Sequence, residues 1–137
     1  MSNNGSNDFG VLFSQIMFLQ QILERHENVK LLERHDDIVF DIARRSQGDA
    51  LTIVCVNAYS VSEELVERVF ETFPATNVIY FGGKWNGATP EAAEFCKIHN
   101  IGLYNAGTLA PALRNKDFGR GPKWRDDLDD PPSSAKA

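Results

Sequence analysis

The chain has 137 residues, 42% of them hydrophobic and 24% charged, which is enough for one domain around a single core. No stretch approaches the roughly 18 uninterrupted apolar residues of a membrane span. Met1–Asp8 lacks the basic start and apolar run of a secretory signal. The formal net charge is −5, and residues 1–113 carry eight Lys/Arg against fourteen Asp/Glu. So acidic a body is a poor electrostatic partner for phosphate backbones, because counterion release needs a basic footprint. Cys55 and Cys96 sit inside apolar patterns and read as reduced core residues, so a cytoplasmic protein is expected.

Residues 1–7 are too polar to pack and are expected to be disordered. From Asp8 the apolar residues Phe9, Leu12, Phe13, Ile16, Leu19, Ile22 and Leu23 recur at helical spacing, with Asp8 as cap or first-turn residue. Val11, Met17 and Phe18 widen this stripe beyond one face. Val29–Arg34 and Ile38–Arg44 read as strands separated by His35-Asp36-Asp37. Ser46-Gln47-Gly48-Asp49 is a turn signal, and the almost wholly apolar Leu51–Val56 suits a central strand.

A second helix is expected over Ser60–Phe73, capped by Ser60 or Ser62 and ended by Pro74. Asn77–Phe81 is a fourth strand and Gly82–Ala88 a loop. Thr89-Pro90-Glu91 opens a third helix with cap, N1 proline and first-turn acid in favoured places. Ile101–Tyr104 is a fifth strand, Thr108–Leu113 a short helical turn, and the charged tail from Arg114 onward is expected to be disordered. The domain therefore spans residues 8–113 in the order α-β-β-β-α-β-α-β-α. An antiparallel meander should pass into parallel crossovers, giving a mixed five-stranded sheet flanked by helices.

This order and spacing resemble the PD-(D/E)xK restriction-endonuclease-like domains, most closely the Mrr type. In that family an Asp on one strand, and an acid or Gln followed at the second residue by Lys on the next, bind divalent metal and orient the attacking water. The resemblance covers roughly Phe9 to Leu113. Ile38-Val39-Phe40-Asp41 looks like the Asp strand, so Asp41 takes the metal-binding position. In Ile53-Val54-Cys55-Val56-Asn57, Cys55 stands where the acid belongs and Asn57 where the Lys belongs. A thiol suits Mg²⁺ poorly and Asn carries no charge. Glu24 is the only acid in the second half of the first helix. The resemblance thus implies a catalytically degenerate nuclease-fold domain, with no cofactor, acting as a binding or assembly module in a nucleic-acid-processing or defence setting.

Two alternatives follow. An active metal-dependent phosphodiesterase with migrated residues would use Asp41 with Asp36 or Glu24 on Mg²⁺. A flavodoxin-like or Rossmann-like domain would bind a small anion at Gly82–Ala88. In that loop Lys84 and Trp85 offer a cation and a stacking surface; in the tail Trp124 is an aromatic anchor for docking. Cys96 and His99 have zinc-compatible spacing without partners to complete a site. Partners are expected to be protein or a second copy, the latter through a first-helix patch of Phe9, Val11, Met17 and Phe18.

Overall fold

The sheet is organised by two tight hairpins, and both have clear local causes. In the computed structural model, which describes Gly5 and residues 7–114, β1 (Val29–His35), β2 (Val39–Arg44) and β3 (Asp49–Cys55) pair antiparallel. The first turn is made by Asp36 and Asp37, at φ 50° and 66°. Asp is among the few residues other than Gly that enter this left-handed region readily. In the second, Gly48 takes φ 69° and its N–H donates to Arg44 O at 2.9 Å. One extra residue is accommodated in β1 between Leu31 and Glu33.

From β3 the chain turns to parallel crossovers. Strands β5 (Val78–Tyr80) and β7 (Gly102–Tyr104) extend the sheet in the order β1-β2-β3-β5-β7. Strands β3, β5 and β7 are buried along most of their length, as parallel strands covered on both faces must be. The antiparallel pairing through residues 45–48 departs from the wholly parallel sheet of a flavodoxin-like domain. Two short strands, β4 (Ser60–Val61) and β6 (Gly87–Ala88), pair parallel outside the main sheet. Ser60 and Val61 therefore lie in a strand instead of the expected helix.

Helix α2 (Glu63–Thr72) starts at the alternative cap, Ser62, whose Oγ accepts from Leu65 N at 3.1 Å. Helix α3 (Pro90–Ile98) begins as expected, with Thr89 Oγ1 accepting from Ala92 N, and His99 is its C-cap. Helix α1 (Phe13–Arg25) buries Ile16, Leu19 and Leu23. It starts later than its periodicity suggests. Asn7 Oδ1 accepts from the N–H groups of Phe9 and Val11, and Gly10 takes φ 68°, so residues 7–12 form a turn. Gly5 and Asn7, expected to be disordered, both hydrogen bond to Asp37.

Of the four residues expected to form an exposed α1 patch, Val11 is fully buried and Phe9 packs on Phe73 at 6.1 Å between ring centroids. The Arg68 guanidinium lies over the Phe9 ring. Met17 is half-buried, and only Phe18 stays exposed, alongside Leu12 and Phe13.

A polar staple holds the far end of the hairpin. Asn28 is buried; its Oδ1 accepts from Ser46 N, while Nδ2 donates to Gln47 Oε1 and to Leu113 O, just past α4 (Leu109–Ala112). His26 joins the same node, its Nδ1 accepting from Asn28 N and its Nε2 donating to Ala110 O. Beside it, the buried Arg44 makes a two-pronged contact with its cross-strand partner Asp49, at 2.9 and 2.7 Å.

The Arg44 hydrogen bonds hold the Asp49 carboxyl below its ordinary value. The stabilisation they give is present above the unfolded carboxyl pKa of about 3.9 and is lost as pH falls through the lower folded value. Asp49→Asn should lower stability at neutral pH by roughly 1 kcal/mol, because the guanidinium is buried but solvent screens the partly exposed carboxylate. Urea unfolding of both proteins at pH 7 and below pH 4 checks this. The difference between them should shrink in acid.

Candidate functional site

Counting along the hairpin decides which residues meet. With Arg44 opposite Asp49, Asp41 falls opposite Thr52 and the N–H of Cys55 bonds to Ile38 O. Thr52 Oγ1 donates to Asp41 Oδ1 at 3.1 Å, so both point to one face. Cys55, three residues further along β3, points to the other. Asp41 and Asn57, expected to share a catalytic centre, are therefore not brought together. The acid at the end of β3 is Asp37, from the His35-Asp36-Asp37 segment between the first two strands.

Asp37 is fully buried. Its Oδ1 accepts from Arg34 Nη1 at 3.0 Å, and its Oδ2 accepts from Gly5 N and Asn7 Nδ2, each at 2.9 Å. Arg34 also donates to the Asp37 carbonyl and lies 5.9 Å from the Phe13 ring centroid. Cys55 is equally buried; burial, reinforced by the Asp37 charge, pushes its thiol up to about 12. It is a protonated, inert side chain. Cys96 is likewise buried and pushed up to about 12.

A cleft of about 230 Å³ opens beyond the C-terminal ends of β3 and β5, under the start of α1. Helix α1 contributes Ser14, Gln15 and Phe18, and the strand ends contribute Val56, Asn57 and Tyr80, with Gly82-Gly83 completing the wall. Among the described residues, no Asp, Glu, Lys, Arg or His lines it. Position explains the location, since ligands of open α/β sheets gather outside the carboxyl ends of parallel strands. Gly82 is required there. It takes φ 104°, and a Cβ would meet Asn86 Nδ2 at 3.0 Å and Asn57 Oδ1 at 3.5 Å.

Two polar groups of the cleft are unusual. Tyr80 is 2% exposed, and its hydroxyl has no hydrogen-bond partner among the described residues. Burial raises its pKa, so the phenol keeps its proton. A hydroxyl left unpaired inside a protein costs roughly 1–3 kcal/mol, which makes it a group in search of a ligand or water. The Asn57 amide likewise has no partner among the described residues, although it is exposed.

The loop after β5 is held from behind by Asn105, which is buried. Its Nδ2 donates to Lys84 O and Asn86 O, and its Oδ1 accepts from Gly107 N and Thr108 Oγ1. Lys84 and Trp85 are presented outward on this loop, the ammonium 5.5 Å from the indole centroid and the indole 77% exposed. Both are exposed on one loop, next in sequence to Gly83 of the cleft wall. Trp124 lies outside the described residues. Sequence reasoning passed over Tyr80, Gln15 and Asn105, and it did not place Asp37 at the end of β3. Counting strand partners outward from the Ser46–Asp49 turn would have found Asp37.

Asp36 and Asp41, proposed as metal ligands, do come together, but on either side of an imidazole. His35 Nδ1 lies 2.7 Å from Asp36 Oδ2, and its Nε2 lies 3.0 Å from Asp41 Oδ2. Among the described residues no group of three His, Cys, Asp or Glu side chains is arranged to hold a metal ion. His99 stacks between Phe70 and Phe95, with centroids 5.2 and 4.3 Å away.

Partial burial works against the charged His35 ring, but the Asp36 hydrogen bond and the charges of Asp41 and Asp36 outweigh it, and its pKa is raised. The stability His35 supplies is therefore fully present below its unfolded pKa of about 6.5 and lost as pH rises through the higher folded value. His35→Gln should lower the melting temperature at pH 5.5 more than at pH 8.5. Equal losses at both values would show that the ring is not titrating against its two carboxylates.

No family model, curated protein or solved structure matches the chain.

Proposed function

We propose that the chain is a nuclease-fold domain without hydrolytic activity that serves as a binding module, with its recognition surface at the cleft beyond β3 and β5. One observation carries the reading. The acid at the end of the hairpin is neutralised by Arg34, with both oxygens of Asp37 already occupied by donors. Near it lies the protonated thiol of Cys55, and two residues further along the chain comes the uncharged amide of Asn57. Such a donor set does not fit Mg²⁺, which takes ionised carboxylates and water in near-octahedral geometry. Nor does Asn57, at the position of the expected Lys, supply a cation to orient an attacking water. The element order, the antiparallel meander and the parallel crossovers support the restriction-endonuclease-like reading of the scaffold.

Incubation of the full chain with single- and double-stranded DNA and RNA should give no cleavage in Mg²⁺ or Mn²⁺. Millimolar metal should leave the melting temperature unchanged, because no native-state site binds it. Metal-dependent cleavage lost on Asp37→Asn would overturn the proposal and return the chain to the active nucleases. Cleavage lost on Asp41→Asn instead would overturn it too, and would place the chemistry on the opposite sheet face.

Self-association is a second mode of action, favoured by the exposed Leu12 and Phe13 at the start of α1, 60% and 40% accessible. An isologous dimer would bring each helix start against its twin. Sedimentation equilibrium across micromolar concentrations should show a dimer weakened by Leu12→Asp. A monomer throughout would eliminate this mode.

A further inference from the structure

The cleft has the properties of a site for something specific. Its surface is mainly apolar, with polar groups from Ser14, Gln15, Asn57 and Tyr80, and among the described residues no charged side chain lines it. At about 230 Å³ it falls below the ~300–1,000 Å³ usual for drug-sized ligands, leaving room for one small ring system. Its two sides differ in a way that suits a flat guest. Phe18, 52% exposed on α1, offers an aromatic face, while Gly82 and Gly83 offer backbone with no side chains. Tyr80, 2% exposed, also lines the cleft, and its hydroxyl has no partner among the described residues. The Asn57 amide can donate and accept at one edge, and the Gln15 Nε2 remains to donate, since its Oε1 accepts from Leu12 N.

We propose that this cleft binds one uncharged planar heterocycle with amide-type edge groups, a free nucleobase or nucleoside, stacked on Phe18 and hydrogen-bonded by Tyr80 Oη–H and the Asn57 amide. The proposal rests on the reading of this cleft as the binding surface and names the chemical class it takes. Charge selects the neutral form of the ligand. Residues 1–113 are net acidic, and the cleft itself presents no cation to a phosphate. Recognition by fixed neutral dipoles in a half-enclosed pocket fits a base edge, much as extruded bases are read by hydrogen bonds to their Watson–Crick edge. On the adjoining loop, Lys84 lies against the Trp85 ring.

The test is a calorimetric titration of the full chain with adenosine, guanosine, cytidine and uridine to millimolar concentration. The matching 5′-monophosphates and a short single-stranded oligonucleotide are titrated in parallel. At least one nucleoside should bind saturably, its monophosphate no more tightly, and with little salt dependence. Tyr80→Phe should weaken binding about 3- to 10-fold, the value of one hydrogen bond. It should leave the free protein's melting temperature unchanged or raised, because it removes an unpaired buried hydroxyl. Asn57→Ala, at an exposed position, should weaken binding without affecting folding.

Absence of binding by all four nucleosides would overturn the proposal, as would affinities unmoved by both substitutions. Binding of the oligonucleotide alone, falling steeply with salt, would overturn it in favour of a strand site at Lys84 and Trp85. None of these outcomes bears on cleavage, so failure here leaves the loss of hydrolysis to be judged by its own assay.

Discussion

The register of the β2–β3 hairpin is the constraint from which the site follows. Arg44 and Asp49 face each other across the mouth of the second turn, and the buried guanidinium tolerates no slip that would take it from its carboxylate. A shift of one residue would also send Phe40, Ile42 and Ile53 to the face now holding Asp41 and Thr52. With that register held, Cys55 meets Ile38, and Asp37 arrives at the end of β3. The Asn28 staple, reaching from the loop to Leu113, ties the same turn to the last helix and makes the register a property of the whole domain.

The charge pattern at the other end of the hairpin is a consequence. Asp37 is a buried carboxylate, and burial of a charge without partners would be prohibitive. Arg34 reaches it from β1, and the N-terminal segment folds over to add two N–H donors. That segment also places α1, because Asn7 uses its other atoms to form the turn before Phe13. One acid therefore organises the strand turn, the chain entry and the mouth of the cleft. An acid so thoroughly engaged is a structural element, and the chemistry left to the cleft belongs to its neutral groups.

Much of this architecture was legible in the sequence, for reasons that separate the visible parts from the hidden ones. The strand order could be read because Leu51–Val56 and Val78–Tyr80 are continuous apolar runs and the helices between carry caps at Ser62 and Thr89. Strands β4 and β6 were invisible, each being two residues long with pairing but no pattern of its own. The late start of α1 was hidden because Phe9 and Val11 keep helical spacing while Asn7 and Gly10 impose a turn. Asp41 drew attention as a lone acid in an apolar strand. Asp37 reads as a turn acid, because consecutive Asp residues look solvent-facing until a register assigns one of them to the interior. The unpaired Tyr80 hydroxyl left no trace in sequence, since only three-dimensional neighbours reveal a missing partner.

The acidic body and the uncharged cleft make one consistent electrostatic design. A polyanion approaching this chain meets a net negative field that weakens with salt but is not reversed by it. A neutral ligand feels little of that field, and its affinity depends on local dipoles and stacking alone. The backbone behind those dipoles is firmly held. Asn105 fixes the loop from behind with two donated and two accepted hydrogen bonds, and Tyr80 sits in a parallel strand paired on both sides. Groups held this rigidly have already lost the freedom that binding would otherwise remove, which favours recognition of a small guest with few contacts. The exposed Trp85 lies outside this rigid wall, and its loop is where a larger ligand would first be felt.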